Sequence, residues 1–178
     1  GSSFDYGQAT AIDGQGNVYV TGYFQGSVDF DPGAGTFTLT SYGSRDIFVV
    51  KLSASGDFVW ALQVGGTQLD VGQGIALDAS DNIYLTGYFQ GTADYDPGSG
   101  QYLLTATGLD AFVLKLTADG AFVWARAIGS VDSSTGLTIA RDLSVDAAGS
   151  LYLTGYFYGT TDLDPGPSRY DVTSAGDY

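Results

Sequence analysis

Three pairs of aspartates, each set two residues apart, are the strongest chemical feature of this sequence. Asp29 and Asp31, Asp94 and Asp96, and Asp162 and Asp164 each sit inside an Asp-x-Asp-Pro-Gly phrase. Proline pushes the residue before it into an extended conformation. Extended residues at i and i+2 point to the same side, ~6.6 Å apart along the backbone, so one hard cation is within reach of both carboxylates. Ca²⁺ takes about 6–8 oxygens, so carbonyls of the Gly-rich turn and waters would supply the remainder. A turn competes for the same residues, with Asp accepting backbone N–H bonds and Pro-Gly filling the corners. That turn needs only the second Asp of each pair. The first, present three times, is the reason to expect calcium or a similar ion at these six residues.

Other residues carry weaker chemistry. Tyr23-Phe24, Tyr88-Phe89 and Tyr156-Phe157 offer flat aromatic surfaces of the kind a glycan platform uses. Side chains alternate across a strand, so only one of each pair faces a given surface. Filling between packed sheets is the competing use of such rings. Trp60 and Trp124 lie in apolar Phe-Val-Trp-Ala phrases and are expected in the core. Asp46, Asp110 and Asp177 stand just before strands and read as bonded to a strand-opening turn. Thr21, Thr86 and Thr154 precede a mid-strand Gly, reading as β-formers beside a bulge or close contact.

Catalysis has little to stand on. The 178 residues include no His, Cys or Met, and all 20 acidic residues are Asp. The usual general base and thiol nucleophile are therefore missing. Paired carboxylates can hydrolyse glycosides. These pairs recur identically, however, whereas active sites are single and asymmetric. No catalytic residue is assigned, and a non-enzymatic protein is expected.

The net charge of −14 argues against nucleic acid, whose binding rests on Lys and Arg contacts to phosphate. No apolar run approaches a membrane span. The acidic, Tyr-, Thr- and Gly-rich composition suits life outside the cell or at its surface.

The elements that must position these residues are written into a repeat. Gly22, Gly87 and Gly155 mark equivalent points of an Asn/Ser-x-Tyr-x-Thr-Gly-Tyr-Phe phrase, spaced 65 and then 68 residues apart. A fixed period with strand-like content means a repeat architecture whose units bury their faces against neighbours. The units run over about 4–71, 72–138 and 139–178, and the residues 130–138 enlarge a loop before the third. In the first, 9–12, 18–24, 47–52 and 58–62 read as strands. In the second, 74–77, 83–89, 111–116 and 121–125 do. Ile47 and Val49 point to one face, and Phe48, Val50 and Leu52 to the other. A sheet apolar on both faces is sandwiched. Four-stranded antiparallel sheets packed face to face around an axis predict an all-β, β-propeller architecture.

The phrases Asp46-Ile-Phe-Val-Val-Lys-Leu52, Asp110-Ala-Phe-Val-Leu-Lys-Leu116, Gly56-Asp-Phe-Val-Trp-Ala61 and Gly120-Ala-Phe-Val-Trp-Ala125, with the Asn-x-Tyr-x-Thr-Gly strands, resemble the SBBP-type β-propeller repeats of bacterial surface and secreted proteins. The resemblance implies a propeller-like fold, in large extracellular proteins of unassigned activity, and brings no catalytic residues.

The third unit lacks its Phe-Val-x-Lys-Leu and Phe-Val-Trp-Ala strands, leaving an incomplete ring of two units and a partial third. Its open edge and apolar face lead to two expectations: further repeats of the same array, or copies that associate into a ring or a filament. The overall expectation is a structural or adhesive surface module with calcium at its Asp loops. The alternative is a carbohydrate-binding, lectin-like propeller module that takes glycans as partners.

Overall fold

The computed structural model describes residues 4–131 and 136–176, and every regular element among them is a strand. Asp177 and part of the enlarged 130–138 loop lie outside the described residues. In the first unit β1 (Tyr6–Ile12) and β2 (Val18–Phe24) pair antiparallel around a tight turn. A short hairpin, β3 (Ser27–Asp29) with β4 (Thr38–Thr40), follows. The chain then returns as β5 (Asp46–Leu52) beside β2, and β6 (Phe58–Gly66) closes the sheet beside β5.

The second unit repeats this with β7 (Asp70–Leu77), β8 (Ile83–Asp94), β9 (Leu103–Leu116) and β10 (Phe122–Ile128). Here the short hairpin is continuous with the long strands, through Thr92 to Asp94 against Leu103 to Thr105. In the third unit β11 (Leu137–Val145) pairs with β12 (Leu151–Tyr158), and β13 (Thr160–Asp162) with β14 (Asp171–Thr173). The fold is all-β: two four-stranded antiparallel blades and the first two strands of a third, curled into an incomplete propeller. The first strands lie innermost, β1 beside β7 and β7 beside β11.

Several strands run past their expected limits. β1 begins at Tyr6, β6 reaches Gly66 and β7 begins at Asp70. The extra residues are mostly polar or glycine, with Val64 and Val71 as isolated buried apolar positions, too few to show an alternation. These extra residues become strand through pairing: Tyr6 with Tyr23 and Asp70 with Phe89 inside their own blades, and Gly65 and Gly66 with Asp94 and Ala93 of the next blade.

Two recurring glycines shape each blade. A Cβ on Gly22, Gly87 or Gly155 would run into the carbonyl of Tyr6, Val71 or Ile139 on the adjoining strand, so only Gly lets the first two strands approach. Gly26, Gly91 and Gly159 have φ of 75°, 69° and 81°, turning the chain out of the second strand into the hairpin.

The main core lies between the blades. Tyr19, Ile47, Val49 and Val64 pack against Leu85, Phe89, Tyr95, Phe112 and Leu114. Phe24, Phe48 and Val50 face the other side of the first blade, covered by Phe30 and Leu39 from the hairpin. The double-sided apolar pattern of β5 is thus satisfied as expected. Each fully buried Phe contributes about 1.5–3 kcal/mol of transfer free energy. Trp60 is half buried yet packs against the main core, as expected, whereas Trp124 is half buried outside it, a correction to its expected core position. They lie on fourth strands at the blade rim, where the flanking Val59 and Val123 are exposed.

Candidate functional site

The Asp pairs close the short hairpins. Asp29 Oδ1 accepts from the Asp31 N–H at 3.1 Å and the Phe37 N–H at 2.8 Å, and Asp31 Oδ1 accepts from the Gly33 N–H at 2.8 Å. Asp94 receives the N–H groups of Asp96 and Tyr102, and Asp96 that of Gly98. Asp162 receives those of Asp164 and Tyr170, and Asp164 that of Gly166. Both members of each pair therefore have a turn role. The first bridges the hairpin neck eight residues ahead, a reach that local turn rules do not reveal. The bonds from Tyr170 and Asp164 hold the Asp162 carboxyl below its ordinary range. Among the described residues no third acidic side chain joins a pair in a group of metal-binding size.

A second recurring cluster was not singled out by its sequence. Asp13 opens the turn between β1 and β2, accepting from the Gln15 and Asn17 N–H groups, the Asn17 side chain and the Tyr19 hydroxyl. Lys51, from β5, places its ammonium 3.7 Å from Asp13 and 4.8 Å from the Tyr19 ring centre. Asp78, Asn82, Tyr84 and Lys115 reproduce this, with the ammonium 3.5 Å from Asp78 and 4.7 Å from the ring. Burial pushes both carboxyls up, but the Asn and backbone bonds outweigh it, leaving Asp13 lowered and Asp78 at about 2. The Asp-x-x-x-Asn-x-Tyr spacing, repeated at the blade period, was the available signal.

Asp46 and Asp70 are fully buried where the first blade meets the second. Asp46 accepts the Tyr42 N–H and the Gln63 amide, and Asp70 accepts the Gly66 N–H. The expected strand-opening bond is therefore present at Asp46. Asp110 makes it too, from the Thr107 N–H. Both Asp46 and Asp70 crowd Gly65, where a Cβ would sit 2.9 Å from the Asp46 carboxyl carbon and 3.0 Å from Asp70 Oδ2. Burial raises Asp46 to about 6, and burial with the Asp46 charge raises Asp70 to about 7. Such values suit a general acid, but these carboxyls are sealed from solvent. Thr21, Thr86 and Thr154 each lie on a strand beside a register shift, as expected, and Thr21 and Thr86 also donate to the carbonyls of Phe48 and Phe112 across the sheet.

The aromatic pairs divide. Phe24 and Phe89 are fully buried, while Tyr23, Tyr88 and Tyr156 reach the surface. Tyr6 packs on Tyr23 at a tilt of 31° with ring centres 5.2 Å apart, and the Arg45 guanidinium lies 4.8 Å over Tyr23. Arg141 lies 5.4 Å over Tyr156 and donates to the Gln73 side-chain carbonyl at 3.1 Å. Burial raises the Tyr88 hydroxyl, Arg141 and Arg45 pull it down, and Tyr23 and Tyr156 push it up, so all five share one electrostatic neighbourhood.

Residues 59–88 match the SBBP family, a beta-propeller repeat. The chain is also similar to an uncharacterized WD repeat-containing protein, L264, of Acanthamoeba polyphaga mimivirus. The two are 24% identical over 183 aligned residues that take in 89% of this chain. The chain spans 13% of that relative's length. The matched segment runs from the last strand of the first blade into the second strand of the next, the stretch on which blade-to-blade packing depends. Residues 59–88 thus carry SBBP-type β-propeller repeat sequence, in a chain built of propeller blades.

Proposed function

We propose that this chain is a non-catalytic propeller segment of an extracellular or cell-surface protein, structural or adhesive, that acts through the surfaces it presents. The observation that carries this reading is the fate of its repeated acids. In every unit the loop aspartates are bonded to the backbone of their own turn, and the perturbed Asp46–Asp70 pair is buried. A composition free of Cys and Met supports an extracellular setting. The SBBP match is consistent with a repeat module. Beads coated with the chain should adhere to cell or matrix surfaces, while chromogenic glycosides remain intact. Glycoside turnover lost in Asp70→Asn but kept in Asp110→Asn would overturn the non-catalytic reading.

Two finer parts of the proposal have their own support. The second carboxylate oxygens of the Asp pairs, on a chain of charge −14, favour a hard cation such as Ca²⁺ at the hairpin tips. The exposed Tyr152 on β12, whose counterparts Tyr19 and Tyr84 are buried, favours association with further strands or copies of the array. Calcium should release or absorb heat on titration and raise the melting temperature, a response that chelator reverses and Mg²⁺ does not reproduce.

A second reading, a carbohydrate-binding module, is favoured by one observation: the tyrosines of the three Tyr-Phe pairs come together at the surface beside two arginines.

A further inference from the structure

The six basic residues of this chain are used in two ways. Among the described residues Lys51, Lys115 and Arg169 make ion pairs with Asp13, Asp78 and Asp171. Arg45, Arg126 and Arg141 make none among the described residues, in a chain with 20 acidic side chains. Arg126 lies on β10, over Trp124 and bonded to the Tyr102 hydroxyl, whereas Arg45 and Arg141 each lie over a tyrosine ring of their own unit, Tyr23 and Tyr156. Arg141 is exposed, and its hydrogen bonds go to Gln73 and the Tyr156 hydroxyl, both neutral. The nearest acid in sequence, Asp142, turns its carboxylate to the Leu143 N–H. The outcome is a local positive spot lined by aromatic faces on an otherwise negative protein.

Guanidinium is planar and binds a carboxylate through two parallel N–H bonds, better than a point charge does. Tyrosine faces supply flat, amphipathic surface at low entropic cost, and their hydroxyls and the Gln73 amide suit a polyhydroxylated ring. The net charge limits the ligand further. A polyanion would extend beyond the two arginines into the negative field of the remaining surface, whereas one carboxylate would not.

We propose that the row of Tyr23, Tyr88 and Tyr156, with Arg45 and Arg141, binds a saccharide bearing a single carboxylate, such as a hexuronic acid residue. This deepens the carbohydrate-binding reading and rests on it. Arg45 and Arg141 are the specificity-determining residues, and the tyrosines the stacking surface.

The test is NMR titration of the full chain with methyl glucuronide and, separately, methyl glucoside, following tyrosine ring resonances. The glucuronide is expected to bind about tenfold more tightly than the glucoside, a ratio of the size one charge-assisted bidentate pair supplies. Arg141→Ala and Arg45→Ala should each remove most of that preference, and Arg141→Lys should restore only part. Thermal melts confirm that each variant is folded, and the exposed Arg141 is the safer substitution. Equal binding of both sugars overturns the carboxylate inference and leaves the carbohydrate reading standing. Binding of neither sugar overturns both. A preference unchanged in both alanine variants places the site elsewhere and overturns the inference.

Discussion

The second blade and the start of the third contain the same first two strands, yet their side chains live in different surroundings. Tyr84 is 3% exposed and Tyr152, its counterpart, is 58% exposed. Both hydroxyls donate to the turn aspartate, Asp78 in one and Asp146 in the other, at 3.1 and 3.2 Å. The bond between turn and tyrosine is therefore local to the first hairpin. Burial and the lysine come from the third strand, β9, which carries Lys115. Phe89 is fully buried whereas Phe157 is half buried, beside a cavity of about 170 Å³ reached by Ile139, Leu153 and Leu163. A hairpin writes its own hydrogen bonds, but a blade needs its third strand to acquire a core.

The sharpest way to break this comparison is to truncate the paired phenylalanines. Phe89→Ala should cost about 3–5 kcal/mol in chemical denaturation, as full-size core truncations do. Phe157→Ala should cost less than half of that, because part of its surface is already wet. Equal losses would mean that the third unit is as well packed as the second.

Next in size is the buried acid pair between the blades. Between the ordinary carboxylate value of 3.8 and about 7 the folded chain holds an Asp70 proton that the unfolded chain has released. Asp46 does the same up to about 6. Stability from these groups is full below 3.8 and falls as the pH rises through their folded values. Asp70→Asn should therefore raise the melting temperature at pH 8 by about 3–6 °C and flatten its pH dependence above pH 5. A lower melting temperature at pH 8 would contradict the burial argument.

The Asp–Tyr–Lys cluster gives a smaller contrast of opposite sign. Asp78 sits at about 2, so its stabilisation is present above the ordinary carboxylate value and is lost as the pH falls towards 2. Asp78→Asn should cost about 1 kcal/mol at pH 7 after allowance for solvent screening. Asp146→Asn should cost less, having no lysine partner among the described residues. A larger loss at Asp146 would show that the lysine adds nothing.

The smallest effect separates turn from cation at the hairpin tips. Asn keeps the Oδ1 acceptor that receives the backbone N–H, while losing the charge. Asp31→Asn and Asp96→Asn should change stability in chelator by no more than about 0.5 kcal/mol. They should also abolish any heat of calcium binding. A large loss in chelator would mean that the charge itself stabilises the turn.

Much of this protein follows from the order of its residues. The repeat period, the four strands per blade, the double-sided apolar strands and the close-contact glycines are all periodic or local properties. Periodicity survives translation along the chain, and steric limits act within a few residues. The loop aspartates were legible for the same reason, although the bond from each first Asp to a residue eight places on was not. Three features needed the blades to be placed in space. One is the seating of Lys51 and Lys115 on Asp13 and Asp78, across separations that no local rule spans. Another is the meeting of Asp46 with Asp70 at Gly65, which turns two ordinary aspartates into a buried, proton-holding pair. The last is the convergence of Tyr23, Tyr88 and Tyr156 with Arg45 and Arg141, which make no ion pair among the described residues. Their sequence positions state only that each tyrosine lies on a strand. Which face it shares, and with what charge, is set by how one blade packs on the next.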